Sequence, residues 1–248
     1  MPDPRAAGAF PAGLIRPEGA YRGGADAVWL ADFARAAVAG RRTGRFVDLG
    51  VGCGTAGLAF LQAGGEGDAW IGSGLDIDPD LVAAAESNAR LLGHAGRFRS
   101  AVVDVTDPEA LALWRRGAHD PAAGGFDLVL SNPPWRLEGQ GRVPPSPARR
   151  RALFGTPDTL PAFARAAALL LAPGGRFACV VGAARIADCA VALAAAGLTP
   201  RRLRCIHPRA DAPAMLALFE AFRENPPRAG LLAVDAPLIV RPGQAPSP

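Results

Sequence analysis

With 248 residues, half of them hydrophobic and a fifth charged, the chain is long enough to close one large domain without disulfide or metal support, and too apolar for bulk disorder. Its 27 basic residues, every one an arginine, against 23 acidic ones give a formal net charge of +4; this is compatible with a polyanionic partner without requiring one. No uncharged run reaches the ~18 residues of a membrane span, no leader pattern opens the chain, and Cys53, Cys179, Cys189 and Cys205 form no Cys-x-x-Cys pair, so a soluble cytoplasmic protein with reduced thiols, no metal and no membrane contact is expected, and a monomer.

Residues 1–20 and 241–248 are rich in Pro, Gly and Ala without periodicity and are expected as flexible tails around a single domain over 21–240. Ala25 to Ala39 fits a helix closed by Gly40. An alternation follows: strand Phe46–Gly50, helix Thr55–Gln62, strand Ala69–Asp76, then helix Pro79–Leu92, opened by Asp78-Pro79 and ended by Gly93. Strands near Phe98–Val105 and at Phe126–Ser131 come next. After an irregular stretch, Leu160–Leu171 reads as a helix, Pro173-Gly-Gly175 as a turn, Arg176–Val181 as a strand and Arg185–Ala196 as a helix. Arg201–Ile206, Ala217–Arg223 and Leu231–Val240 read as antiparallel strands. The order implies an α/β, Rossmann-like, doubly wound and mostly parallel seven-stranded sheet with an antiparallel C-terminal edge.

The segment Val47-Asp-Leu-Gly-Val-Gly-Cys-Gly54 sets Gly50, Gly52 and Gly54 between a strand and a helix, where backbone can approach a ligand and the helix start offers free N–H groups. Asp76 closes the next strand 22 residues after Gly54 (76 − 54), in place to accept ribose hydroxyls, with Ile77 beside it. Asp104, followed by Val105, closes the third strand and could accept from an adenine amino group. The glycines are spaced G-x-G-x-G rather than the G-x-G-x-x-G of nicotinamide sites, and Asp48 stands two residues before the first. An acidic group there repels a pyrophosphate and attracts an ammonium, so S-adenosylmethionine is the expected cofactor.

Directly after the fourth strand comes Ser131-Asn-Pro-Pro-Trp135, at the carboxyl edge where open α/β sheets bind ligands. A conjugated amino nitrogen is a poor nucleophile; two acceptors gripping its N–H bonds hold it and favour the pyramidal form. The Asn132 side-chain oxygen and the Pro133 carbonyl can be those acceptors, Pro133 and Pro134 add no competing donor, and Trp135 can stack on a planar base. Arg136, Arg142, Arg149, Arg150 and Arg151 follow with only Glu138 as counter-charge before Asp158, a composition that suits a phosphodiester backbone and equally a solvated surface loop. His207 and Arg209 end a late strand and could reach RNA or be structural.

These motifs, together with Gly19-Ala-Tyr-Arg-Gly-Gly-Ala-Asp-Ala-Val-Trp-Leu30, Pro173-Gly-Gly-Arg176 and Ile206-His-Pro-Arg209, make the chain resemble the bacterial tRNA1(Val) adenine-37 N6-methyltransferases over about residues 14–240. The resemblance implies a class I S-adenosylmethionine-dependent methyltransferase acting on adenine N6 in RNA, a tRNA first of all, with an Asn-Pro-Pro-Trp motif where relatives often carry Tyr. It also implies that Asp26 helps close over the methionine end of the cofactor. After the arginines, Ala152-Leu-Phe-Gly-Thr156 departs from the more polar segment of relatives. Alternative acceptors are a protein glutamine amide, which needs the same grip, and guanine N2 in rRNA. Release-factor enzymes carry a helical domain before this core, and a glycine loop at residue 50 leaves no room for one. A noncatalytic RNA-binding module that kept the fold is the remaining alternative; Asp48, Asp76 and Asn132, all present, speak against it.

Overall fold

The computed structural model describes residues 13–20, 24–117, 124–137, 146–224 and 231–240. Helix α1 (Ala25–Ala37) is followed by strand β1 (Thr43–Leu49), α2 (Thr55–Gln62), β2 (Ala69–Asp76), α3 (Pro79–Leu91), β3 (Phe98–Val102), α4 (Pro108–Arg116) and β4 (Phe126–Ser131). Two-residue strand β5 (Arg136–Leu137), helix α5 (Pro147–Leu153) and two-residue strand β6 (Phe154–Gly155) form a small side structure. Then come α6 (Thr159–Leu170), β7 (Leu171–Gly182), α7 (Ile186–Ala195), β8 (Leu198–His207), β9 (Leu216–Arg223), β10 (Ala233–Val234) and β11 (Leu238–Ile239).

The main sheet runs β10-β8-β9-β7-β4-β1-β2-β3, with β11 also on β8. Strands β3, β2, β1, β4 and β7 are mutually parallel, while β9 is antiparallel to both β7 and β8. The central strands are buried on both faces, as their unbroken apolar runs require. Alternate residues feed two cores. Leu128, Leu130, Ala178 and Val180 pack with Phe33, Phe60 and Ala85 of α1, α2 and α3. Val129, Phe177 and Cys179 pack with Trp114, Phe163 and Leu193 of α4, α6 and α7 on the other side. Chain order reverses between β1 and β4, so the connections leaving their carboxyl ends part to opposite faces and open a crevice there.

The expected architecture matches, with differences of detail. Among the described residues the main sheet has nine strands where seven were expected: seven longer ones, and two short pieces, β10 and β11, both parallel to β8, in place of one antiparallel strand over Leu231–Val240. Pro237 lacks the N–H a ladder needs, whereas Asp235 N still donates to Leu203 O (2.8 Å) and its carboxylate lies 3.5 Å from Arg202 Nε and 3.6 Å from Arg204 Nη2. A chain that turns back after β9 and lies outside β8 must run along β8. Strand β3 stops at Val102, leaving Asp104 beyond its end. Pro173-Gly-Gly175 does not separate a helix from a strand but loops out within β7, where the register against β4 jumps between Leu171 and Arg176. Residues 13–20, expected as tail, are tied down: the Asn88 side chain accepts from Ile15 N (2.7 Å) and donates to Ile15 O (2.9 Å) and Cys53 O (2.9 Å), and Leu14 is buried. The rest of both expected tails, residues 1–12 and 241–248, lies outside the described residues. Among the described residues no helix is long and apolar enough to cross a membrane, and all four cysteines are free thiols.

Candidate active site

A cavity of about 390 Å³ opens at the crevice, within the size range of small-molecule sites. Its floor is the loop after β1. Gly50, Gly52 and Gly54 all have positive φ (72°, 53° and 86°), which a side chain would strain. A Cβ on Gly52 would meet nothing within 4 Å. Conformation, not crowding, therefore demands glycine there. Gly50 and Gly52 line the cavity while Gly54 turns under α2. Asp76, at the end of β2, accepts from Gly52 N (2.9 Å) and Asp78 N (3.0 Å), so it fixes the loop and keeps further lone pairs toward the cavity. Ile77, Asp104 and Val105 line the same wall, and one Asp104 oxygen accepts from Thr106 N and Oγ1.

Asp48 is 1% exposed and accepts from Gly57 N at 2.9 Å. Burial pushes its pKa up to about 7, against the Gly57 bond, which lowers it, and with the neighbouring Asp76 charge, which raises it. Asp76 is itself raised, first by burial. A carboxyl that ionises less readily in the folded chain costs stability as pH climbs from its unfolded value of 3.8 through about 7, because the unfolded chain gives up the proton first. The ligand-free protein should melt at a higher temperature at pH 5 than at pH 8, and Asp48→Asn should shrink that difference; an unchanged difference would assign the dependence elsewhere.

The opposite wall is the loop after β4. Ser131 Oγ donates to Leu49 O (2.9 Å) and ties the ends of β4 and β1 together. Asn132, Pro133, Pro134 and Trp135 all line the cavity. Asn132 Nδ2 donates to Asp26 Oδ2 at 2.9 Å. The Trp135 carbonyl accepts from Arg185 Nη1 (3.0 Å), a guanidinium that is 6% exposed and also paired with Asp188. Two glycines shape this loop from behind. A Cβ on Gly155 would stand 2.4 Å from the Pro134 carbonyl oxygen, and one on Gly182 would stand 2.6 Å from the Trp135 indole. Gly182→Ala should push the indole toward the cavity and lower the rate of the reaction expected from the sequence by roughly 10- to 100-fold, the scale of a 1 Å misplacement, with affinity for the expected cofactor unchanged by calorimetry; an unaltered rate would mean the indole's place is immaterial.

The arginines divide. The Arg136 guanidinium lies 5.2 Å from the Trp135 ring centroid, a cation–π distance. Arg151 lines the cavity and pairs with Asp78 Oδ2 at 3.1 Å, so it braces the rim instead of pointing free. Arg149 and Arg150 are exposed on α5 and do not line the cavity. Arg142 and Glu138 lie outside the described residues. His207 Nδ1 contacts Ala212 O (2.8 Å) and Arg209 pairs with Asp211, neither of them at the cavity. Sequence reasoning missed the roles of Ser131, Arg185 and Asn88, which act through partners distant in the chain, and the place of Leu153 to Thr156 in the cavity wall.

The described architecture has counterparts among solved structures. A predicted O-methyltransferase of Agrobacterium tumefaciens superposes with a TM-score of 0.64, at 21% identity and 90% coverage of each chain. The fold is that of the Rossmann-like methyltransferases. TrmN of Thermus thermophilus superposes with a TM-score of 0.55 at 22% identity, over 79% of this chain and 48% of that one. In sequence, 168 residues are 36% identical to a release factor glutamine methyltransferase of Rhodospirillum rubrum. That match takes in 65% of this chain, which spans about half (47%) of that relative's length. No family model matches the sequence.

Proposed function

We propose that the chain is an S-adenosylmethionine-dependent N-methyltransferase whose acceptor is adenine N6 in RNA, in a tRNA before other RNAs. The observation that carries this is the Asn132 amide. A carboxylate can only accept, so Asp26 must receive the NH₂ end, and Oδ1 remains as an acceptor in the cavity that the glycine loop also lines.

The residues present fit the cofactor. Asp26 lines the cavity, and its Oδ1 is buried with no hydrogen-bond partner among the described residues, an acceptor suited to an ammonium. Asp76 closes β2 with lone pairs free for hydroxyls, and the space over Gly52 admits a ligand against bare backbone. When bound, S-adenosylmethionine supplies a methyl group on a sulfonium. Asn132 Oδ1 and the Pro133 carbonyl accept the two N–H bonds of the acceptor nitrogen and hold it pyramidal. No strong base is needed, since a nitrogen that has gained a fourth substituent is acidic enough to give its proton to water. Trp135, half-buried at the cavity with Arg136 over its ring, offers a surface for a base that is unstacked or flipped from its strand.

The RNA acceptor is supported by the resemblance to tRNA1(Val) adenine-37 N6-methyltransferases and by Arg149 and Arg150, exposed on α5 next in sequence to the cavity-lining Arg151. A protein glutamine amide is the second reading, favoured by the 36% identity to a release factor glutamine methyltransferase. Incubation with methyl-labelled S-adenosylmethionine and either unmodified bulk tRNA or cell protein, followed by digestion, separates the two. N6-methyladenosine is the expected product; labelled methylglutamine would move the acceptor to protein, and label in neither would overturn the activity.

A further inference from the structure

We propose that Asp26 is a positioning residue that sets which end of the Asn132 amide faces the acceptor, a role that rests on the methyltransfer reading above. Asp26 is the second residue of α1, 106 positions from Asn132, yet its Oδ2 receives Asn132 Nδ2 at 2.9 Å and it is only 9% exposed. An asparagine amide has two ends of opposite polarity and nearly equal shape. Flipped by 180°, Asn132 would present a donor to the N–H bonds of the amine that it has to grip. A neutral donor-and-acceptor neighbour would tolerate both orientations. A carboxylate tolerates one. Its burial raises the cost of the wrong one, because an amide oxygen facing Asp26 would place two acceptors together away from water.

The chain makes room for this carboxylate. Gly24 stands immediately before α1, and a Cβ there would lie 3.0 Å from Asp26 Oδ1, closer than nearly all real contacts. The first turn of α1 also favours an acidic residue through the helix dipole, so a purely structural role for Asp26 is the competing account. The two accounts differ in what they couple. Positioning acts through Asn132 alone, whereas helix stabilisation acts whether or not Asn132 is present.

The test is a double-mutant cycle on turnover. Asp26→Ala, Asp26→Asn, Asn132→Ala and Asp26→Ala/Asn132→Ala are compared by transfer of label from saturating S-adenosylmethionine into a mixture of cellular RNA and protein, with melting temperature and sinefungin binding measured on each. Asp26→Ala is expected to lower turnover by roughly 10- to 100-fold, the usual loss when a partner orienting a reacting-site group is removed. Asp26→Asn, a neutral neighbour that accepts either end of the Asn132 amide, should restore only part of it. In the Asn132→Ala background, with the cofactor saturating so that any ammonium contact of Asp26 Oδ1 is read in sinefungin binding alone, Asp26→Ala should cost turnover nothing further. Multiplicative losses, or a turnover loss that follows melting temperature across the set, would overturn the positioning role while leaving the methyltransfer reading intact. Wild-type protein that binds sinefungin and labels neither fraction would overturn both.

Discussion

Asn132→Ala is expected to lower methyl transfer by roughly 10²- to 10³-fold, the cost of removing one preorganised polar partner from a reacting centre, while S-adenosylmethionine binds as before. Under the proposed function Asn132 Oδ1 is assigned to the acceptor and not to the cofactor floor: its Nδ2 is committed to Asp26, and the cofactor's expected contacts are Gly50, Gly52 and Asp76, which line the same cavity. The alanine leaves the acceptor nitrogen with one gripped N–H instead of two, and that nitrogen relaxes toward the planar, delocalised form. Single-turnover rates with labelled cofactor, beside a calorimetric titration of cofactor alone, separate the two quantities. Equal losses in both would remove Asn132 from the reacting centre and make it part of the cofactor wall.

Asp76→Ala should do the reverse, weakening cofactor binding by roughly 100-fold, as expected for the loss of a pair of hydrogen bonds to a charged acceptor, with turnover at saturation far less affected. Asp76 holds Gly52 N and Asp78 N at 2.9 and 3.0 Å. Its removal therefore deprives a ribose of its acceptor and releases the glycine loop at the same time. Asp76→Asn keeps an oxygen for one of these amides and should fall between the two. A dissociation constant unchanged in Asp76→Ala would place the nucleoside elsewhere in the cavity.

How much of this was legible in the sequence depended on distance along the chain. The alternation of strands and helices from Thr43 to Leu91 could be read because each element is long enough to show its own period or apolar run. The start of α3 could be read from Asp78-Pro79, and the same signature at Asp107-Pro108 opens α4, where Asp107 caps Glu109 N at 2.8 Å. That helix went unread although it is one residue longer than α2. Helix α5 and the β5–β6 pair, at seven and two residues each, are below the length at which any period can be seen. The N-terminal segment looked featureless because its order comes from Asn88, 73 residues away. In the site, glycines and carboxylates near strand ends could be named from spacing. The Asp26–Asn132 bond could not, since no local pattern joins positions 106 apart. Arg151 looked like a phosphate ligand in the sequence, and the fold instead gave it Asp78.

The burial of Asp48 beside the cavity has a consequence for ligand binding itself. Burial pushes its pKa up to about 7, so this carboxyl gives up its proton only as the solution passes through neutrality. A positively charged ligand entering the cavity favours the carboxylate, so part of a proton leaves the protein with each molecule bound. The heat released on binding then depends on the buffer that takes up the proton, and affinity strengthens as the solution becomes more alkaline through neutrality. A single buried acid thus makes proton concentration a competitor of the cofactor.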